Sequence, residues 1–219
     1  MIPVFISART GSKRLKRKHF LPMSDGSTDV ISHIVLRCLH FSFEPMLCVP
    51  TGDFDSFDRV PCPVFEGDSE NVEARLIECA TQHNLQCFHH LDGDDPFFDE
   101  YAVVDSWNAA AMGLARVTPS YNSQSGSGRV GTTYNLHVKA AGSRNLTDRL
   151  ENYPWPQRLT LDYPEDYHLI LAVDRMVGGY MAPRKAVDEL FVRNPQLHLI
   201  NWFRNAEWKE RQRDERSGS

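Results

Sequence analysis

Short apolar runs alternate with stretches of helical periodicity along the first half of the chain, and that alternation restricts the folds open to it. Residues 2–7 read as a buried strand, as do the shorter runs 46–49, 62–65 and 86–91. Between them, residues 28–40 carry apolar side chains at Val30, Ile31, Ile34, Val35, Cys38 and Leu39, the spacing of one helix face. Val72, Leu76, Ile77 and Ala80 repeat that spacing behind a cap at Asp68 or Ser69. A third helix is expected over residues 100–114, with Val103, Val104, Trp107, Ala110, Ala111 and Leu114 on its core side. Strands alternating with helices predict an α/β fold, a mostly parallel sheet with helices on both faces. Such sheets bind ligands beyond the carboxyl ends of their strands.

The pattern changes after Pro119. Residues 120–129 are Ser/Gly-rich and read as a loop, and residues 130–141 have strand character. Residues 158–161 read as a strand. Pro164 suits the first position of a helix carrying Tyr167, Ile170, Leu171, Val173 and Val177, and Pro183 opens another through Phe191. The 219 residues are expected to form one domain over 1–205, with a loop and β arm inserted at about 120–156 and a charged tail at 206–219. The net charge of −5 argues against nucleic acid as a bulk partner, so a polyanionic ligand must be met by a local basic patch. The five cysteines are odd in number and form no C-x-x-C pair, the pattern of reduced thiols rather than disulfides or zinc ligands. With no secretory order at the start and no apolar run of membrane length, a cytoplasmic protein without a membrane partner is expected.

Three segments carry chemistry. Ala8-Arg9-Thr10-Gly11-Ser12-Lys13-Arg14-Leu15-Lys16-Arg17-Lys18 follows the first strand and holds six cationic side chains within residues 9–18. Arginine forks and lysine point charges at that density suit a triphosphate, and Gly11 would let the backbone turn tightly. It is not a Walker loop, because G-x-x-x-x-G-K-[ST] is absent. Asp92-Gly93-Asp94-Asp95-Pro96 gathers carboxylates at a strand end, the oxygen donors a hard ion such as Mg²⁺ prefers. Asp162, before Pro164, could complete a site begun by Asp94.

In this order the motifs resemble those of the cytidylyltransferases that make CMP-activated acidic sugars, the CMP-Kdo and CMP-sialate synthetases and, most nearly, the spore-coat polysaccharide branch. The family's A-R-x-G-S-x-R-L-P-x-K loop is similar to residues 8–18, with Lys16 in place of proline and Arg17 where some members have glycine. Its F-x-G-S-E-D-D-V-L-A-R-F segment is similar to residues 65–76, T-G-D-x-P-L-I-D to residues 92–99, and L-T-V-D-x-P-E-D to residues 159–166. The likeness covers about residues 2–110 and 157–200. It fails in the middle, where residues 143–147 only faintly echo R-E-H-V-T.

The resemblance implies a Rossmann-like nucleotidyltransferase sheet with a nucleotide site at Ala8, Arg9, Gly11, Ser12, Arg14, Lys18, Ser69 and Arg75. It implies Mg²⁺ on Asp94 and Asp162, with Arg9, Lys18 and Asp94 as the catalytic set. The reaction it implies is attack by an acidic-sugar oxygen on the α-phosphorus of CTP, with release of pyrophosphate. Two rivals share features of the sequence. Asp92-Gly93-Asp94 is a D-x-D, the metal-holding signature of glycosyltransferases that use nucleotide sugars, although the basic loop favours a triphosphate. The altered middle would suit a non-catalytic nucleotide-binding module. In the family an inserted arm builds a two-fold dimer. The alternation of Val130, Thr132, Tyr134, Leu136 and Val138 leads us to expect a homodimer through such an arm, the other reading being an ordinary hairpin packed on its own chain.

Overall fold

The computed structural model describes residues 1–119, 131–138, 143–146, 157–208 and 210. Seven strands form one sheet. They are β1 (Ile2–Ser7), β2 (Phe43–Pro50), β3 (Val64–Gly67), β4 (Cys87–Asp92), β5 (Arg116–Pro119), β6 (Thr132–Asn135) and β7 (Ser143–Leu146). Their spatial order is β3-β2-β1-β4-β6-β5-β7. The first four are mutually parallel, and β6 runs antiparallel to both β4 and β5. The expected α/β sheet is therefore present, with one reversed strand inside it.

Side-chain parity sorts the helices onto two faces. Val4, Ile6 and Ala8 of β1 and its exit join a core with α1 (Val30–His40), α4 (Pro164–Val177) and α5 (Arg184–Arg193). Phe5, Cys48, Phe65 and Phe88 join the opposite core with Leu76, Cys79 and Ala80 of α2 (Val72–Gln82). Helix α3 (Glu100–Ala111) carries Asp99 as N-cap, its side chain accepting from the amides of Tyr101 and Ala102. All five cysteines are free, and Cys38, Cys48 and Cys79 are buried. Among the described residues no helix is long and apolar enough to cross a membrane.

Several sequence expectations need correction. Asn71, not Asp68 or Ser69, caps α2 by accepting from the Ala74 amide, while Asp68 closes the turn before it through the amides of Glu70 and Asn71. Val72 and Ile77 are exposed, and Arg75 and Cys79 take their places inside. In α3 the buried face is Ala102, Val103, Ser106, Ala109 and Ala110, whereas Val104 and Ala111 are exposed. Residues 158–161 belong to no strand; Leu161 donates one backbone bond to the Asp94 carbonyl.

The largest correction concerns the arm. Thr132–Asn135 is an internal strand of this chain's own sheet, with Phe88 opposite Tyr134 and Thr132 opposite His90. The Tyr134 ring stacks on Phe88 at 4.9 Å, and Phe88 on Phe5 at 4.6 Å. Tyr134 and Leu136 pack on the second core. This strand is thus not free to pair with a second copy, and the expected dimer contact loses its basis there. Residues 120–130, the ends of the 130–141 segment, residues 147–156 and most of the charged tail lie outside the described residues. Residues 204–208 are helical, so the described start of that tail continues a helical turn.

Candidate active site

The basic loop and the Asp-rich turn leave adjacent parallel strands, so they meet at the carboxyl edge of the sheet. Ser7 pairs with Asp92 in register, and the Gly93 amide donates to the Ser7 carbonyl at 2.8 Å. Gly93 has to be glycine: a Cβ would stand 2.7 Å from that carbonyl oxygen and 3.1 Å from Ala8 Cβ. The loop is pinned from outside by Asp53, which accepts from Thr10 N at 2.8 Å and Thr10 Oγ1 at 2.6 Å. It ends in a short 3₁₀ helix, Lys18–Phe20, entered through Arg17 in the left-handed region at φ 54°.

Between these segments lies a cleft of about 250 Å³. Ala8, Arg9, Arg14, Lys18, Ser69, Arg75 and Asp94, all singled out from the sequence, line it together. Gly11 and Ser12 do not. Gly11 has no positive φ and open space where a Cβ would stand, so the tight-turn role expected of it falls to Arg17. Ser7, His19, Glu70, Val72, Asp92 and Gly93 also line the cleft. Asp92 and Gly93 stood inside a motif already noted. His19 is betrayed only by adjacency to Lys18, and the anchor Asp53 carries no local signal at all, since it lies far from Thr10 in sequence.

Asp162 does not line the cleft, yet it meets the site through Lys18. The Lys18 ammonium lies 2.5 Å from Asp94 Oδ2 and 3.2 Å from Asp162 Oδ1. Arg14 reaches the same Asp162 oxygen at 2.9 Å. Asp162 is held from behind. Its amide donates to Asp166 Oδ2 at 2.9 Å, and Asp166 is itself gripped by Arg158 Nε at 3.0 Å and Nη2 at 3.1 Å. Asn201 adds bonds to Asp166 Oδ1 and the Arg158 carbonyl. The Leu161-to-Asp94 backbone bond then ties the two acidic segments to each other at 2.8 Å.

Charge follows geometry. Burial acts to lower the Lys18 pKa, but the pull of Asp94 and Asp162 outweighs it and the ammonium is held above its ordinary value. Burial likewise acts to raise Asp94, and the Lys18 charge and hydrogen bond outweigh it, so that carboxyl sits below the usual range. His19 is depressed to about 4, first by burial and then by the Lys18 charge. Its Nδ1 pairs with the Gly93 carbonyl at 2.8 Å. A neutral ring must donate there, which leaves Nε2 as an acceptor. His90 Nε2 lies 2.9 Å from Ser7 Oγ and 3.6 Å from Asp92 Oδ1, whose side chain is half exposed.

Among the described residues no group of three or more acidic, His or Cys side chains forms a ready-made metal cage. Two aspartate oxygens converging on one cation fit an ion that completes its shell with water and phosphate oxygens, the habit of Mg²⁺. The arrangement can neutralise a polyphosphate with Arg9, Arg14, Lys18 and Arg75 while offering two carboxylates to a divalent ion.

No protein-family model and no curated protein sequence matches the chain. Solved structures do. A cytidylyltransferase from Leptospira borgpetersenii superposes with a TM-score of 0.75, covering 90% of this chain and 95% of its own at 18% identity. CMP:2-keto-3-deoxy-manno-octonic acid synthetase, solved with CTP, gives 0.59 over 80% of this chain and 98% of its own at 12% identity. Rv0371c from Mycobacterium tuberculosis, solved with manganese, gives 0.56 over 78% and 99% at 14% identity. At such identities the likeness establishes the fold, an α/β nucleotidyltransferase fold.

Proposed function

We propose that this chain, with the fold of known cytidylyltransferases, is itself one: a cytoplasmic, divalent-ion-dependent enzyme that transfers CMP from CTP to a small acidic-sugar acceptor and releases pyrophosphate. The observation that carries the reading is the convergence of Lys18 on Asp94 and Asp162 beside a cleft lined by Arg9, Arg14 and Arg75.

The acceptor hydroxyl oxygen attacks the α-phosphorus, the bond to the bridging oxygen breaks with its electron pair leaving on pyrophosphate, and the hydroxyl proton passes to solvent. No protein nucleophile is needed, so positioning and charge stabilisation do the chemistry. Arg9, Arg14, Lys18 and Arg75 bind the phosphates and favour the charge that builds on the departing pyrophosphate. Asp94 and Asp162 would hold Mg²⁺, which supplies a Lewis acid and a template for phosphate oxygens. Asp166, Arg158 and Asn201 orient Asp162. The cationic lining also suits an acceptor bearing a carboxylate.

The test is pyrophosphate release from each of the four NTPs across a panel of 2-keto sugar acids. CTP with at least one acid is expected to give stoichiometric pyrophosphate and a CMP-sugar. A glycosyltransferase would instead release a nucleoside diphosphate from a nucleotide sugar. CTP binding with no turnover on any acceptor would reduce the protein to a nucleotide-binding module.

A further inference from the structure

We infer that Lys18 and the divalent ion compete for one position between Asp94 and Asp162, so that the ion enters together with the triphosphate, as a metal–nucleotide complex. The inference rests on Asp94 and Asp162 being the ion's ligands in the proposed reaction.

The Lys18 ammonium occupies the gap between the facing carboxylate oxygens, 2.5 Å from one and 3.2 Å from the other. An ion bridging those oxygens at about 2.0–2.1 Å would need the same space. A doubly charged ion and an ammonium cannot share it, so the lysine must leave. The groups around it decide where it can go. Arg9, Arg14 and Arg75 line the same cleft, so a displaced ammonium in a ligand-free cleft joins three like charges. A triphosphate in the cleft reverses this, because its oxygens offer the lysine new partners as it gives up the carboxylates. Arg14 follows the same logic, trading Asp162 for phosphate. Arg158 does not, since two bonds fix it to Asp166. Binding of ion and triphosphate is therefore positively coupled, and the coupling is reciprocal.

The probe is Mn²⁺ alone, titrated into the nucleotide-free protein and followed by the loss of its free-ion electron paramagnetic resonance signal. Lys18→Met is expected to bind Mn²⁺ tighter than the unmodified protein by about tenfold or more, within the usual range of site coupling. Asp94→Asn added to that variant should abolish the gain. Thermal melting gives a second readout, because Lys18→Met takes the ammonium from both carboxylates, leaving Asp162 to Arg14 at 2.9 Å and Arg158 at 3.5 Å. Its melting temperature should rise on adding Mg²⁺ by more than that of the unmodified protein. Lys18→Gln, which keeps a hydrogen bond but no charge, should repeat both results should the methionine variant fail to fold. Equal Mn²⁺ affinity in the unmodified and Lys18 variants would overturn the competition, as would undetectable Mn²⁺ binding in all of them. Tighter Mn²⁺ binding in the variants with no pyrophosphate from any acceptor would support the competition and remove only the cytidylyl-transfer reading.

Discussion

Two charge clusters adjoin at the segment from Asp94 to Glu100 and behave differently because one is saturated and the other is open. In the first, Arg37 donates to the carbonyls of Phe98, Tyr180 and Ala182 and to Glu100. Arg184 donates to the Phe97 carbonyl, Asp188 and Gln157, and its amide to Glu100. These partners are fixed backbone or buried side chains, and no small ligand can exchange for them. In the second, Lys18, Arg14 and Asp94 line a cleft with Asp162 paired behind Lys18 and Arg14, and each partner could be replaced by a phosphate oxygen or an ion. The first cluster locks the chain just after Asp94 to α1 and α5. The second uses the place so defined. Buried ion pairs are weak evidence for stability by themselves; what distinguishes these two is whether a pair has somewhere else to go.

The sharpest way to break that distinction is Arg37→Ala. It leaves Glu100 to the Arg184 amide and takes the guanidinium from three carbonyls, and is expected to cost about 3–5 kcal/mol, a large share of a typical domain's stability. Urea unfolding measures it, and a loss below 1 kcal/mol would place Arg37 with ordinary surface pairs. Asp162→Asn should do the reverse. Its turnover is expected to fall about a hundredfold or more, the scale of losing one preorganised charge contact, while the melting curve keeps its shape. An unfolded Asp162→Asn protein would move this residue into the structural cluster. Gly93→Ala tests the seam between β1 and β4. Its Cβ meets the Ser7 carbonyl, so a cost of about 1–3 kcal/mol is expected, together with weaker CTP binding by calorimetry; unchanged binding would show that the loop tolerates the shift.

A pH scan probes the open cluster more gently. The folded pKa of His19, about 4, lies below the ordinary 6.5, so the unfolded chain takes up its proton first as pH falls. Stability lent by the neutral ring is therefore intact above 6.5 and is lost as pH falls toward 4. The melting temperature should drop more steeply across that window in the unmodified protein than in His19→Asn, and parallel slopes would discount the burial argument.

The parallel half of the sheet was legible because strands buried on both faces read as apolar runs. Strand β6 was misread for the opposite reason. Thr132–Asn135 is short and polar, and it is separated in sequence from both neighbours, β4 and β5, so nothing local distinguishes an internal antiparallel strand from a protruding arm. In the site, clustered charge announced the loop and both aspartates. The side chains that hold them stayed hidden: Asp53 on Thr10, Asn201 on Asp166, and Arg184 behind the Asp-rich turn act across long separations. Charge density is written locally, whereas support is written in the fold.

Arg17 bears on speed rather than affinity. Its φ of 54° is a conformation that suits glycine, and a side chain there costs about 1–2 kcal/mol. The guanidinium lies over the Phe20 ring at 5.5 Å, on an exposed residue, and does not line the cleft. A cation kept outside the contact surface still adds to the field that draws an anion in, and that field fades beyond about 8 Å at physiological salt. Arg17→Gly is expected to slow CTP association several-fold at low ionic strength and to change dissociation little, a difference stopped-flow mixing would see shrink as salt is added. On the proposed function, backbone ease at this one residue is given up for the rate of encounter, and the loop that grips the triphosphate also serves as its antenna.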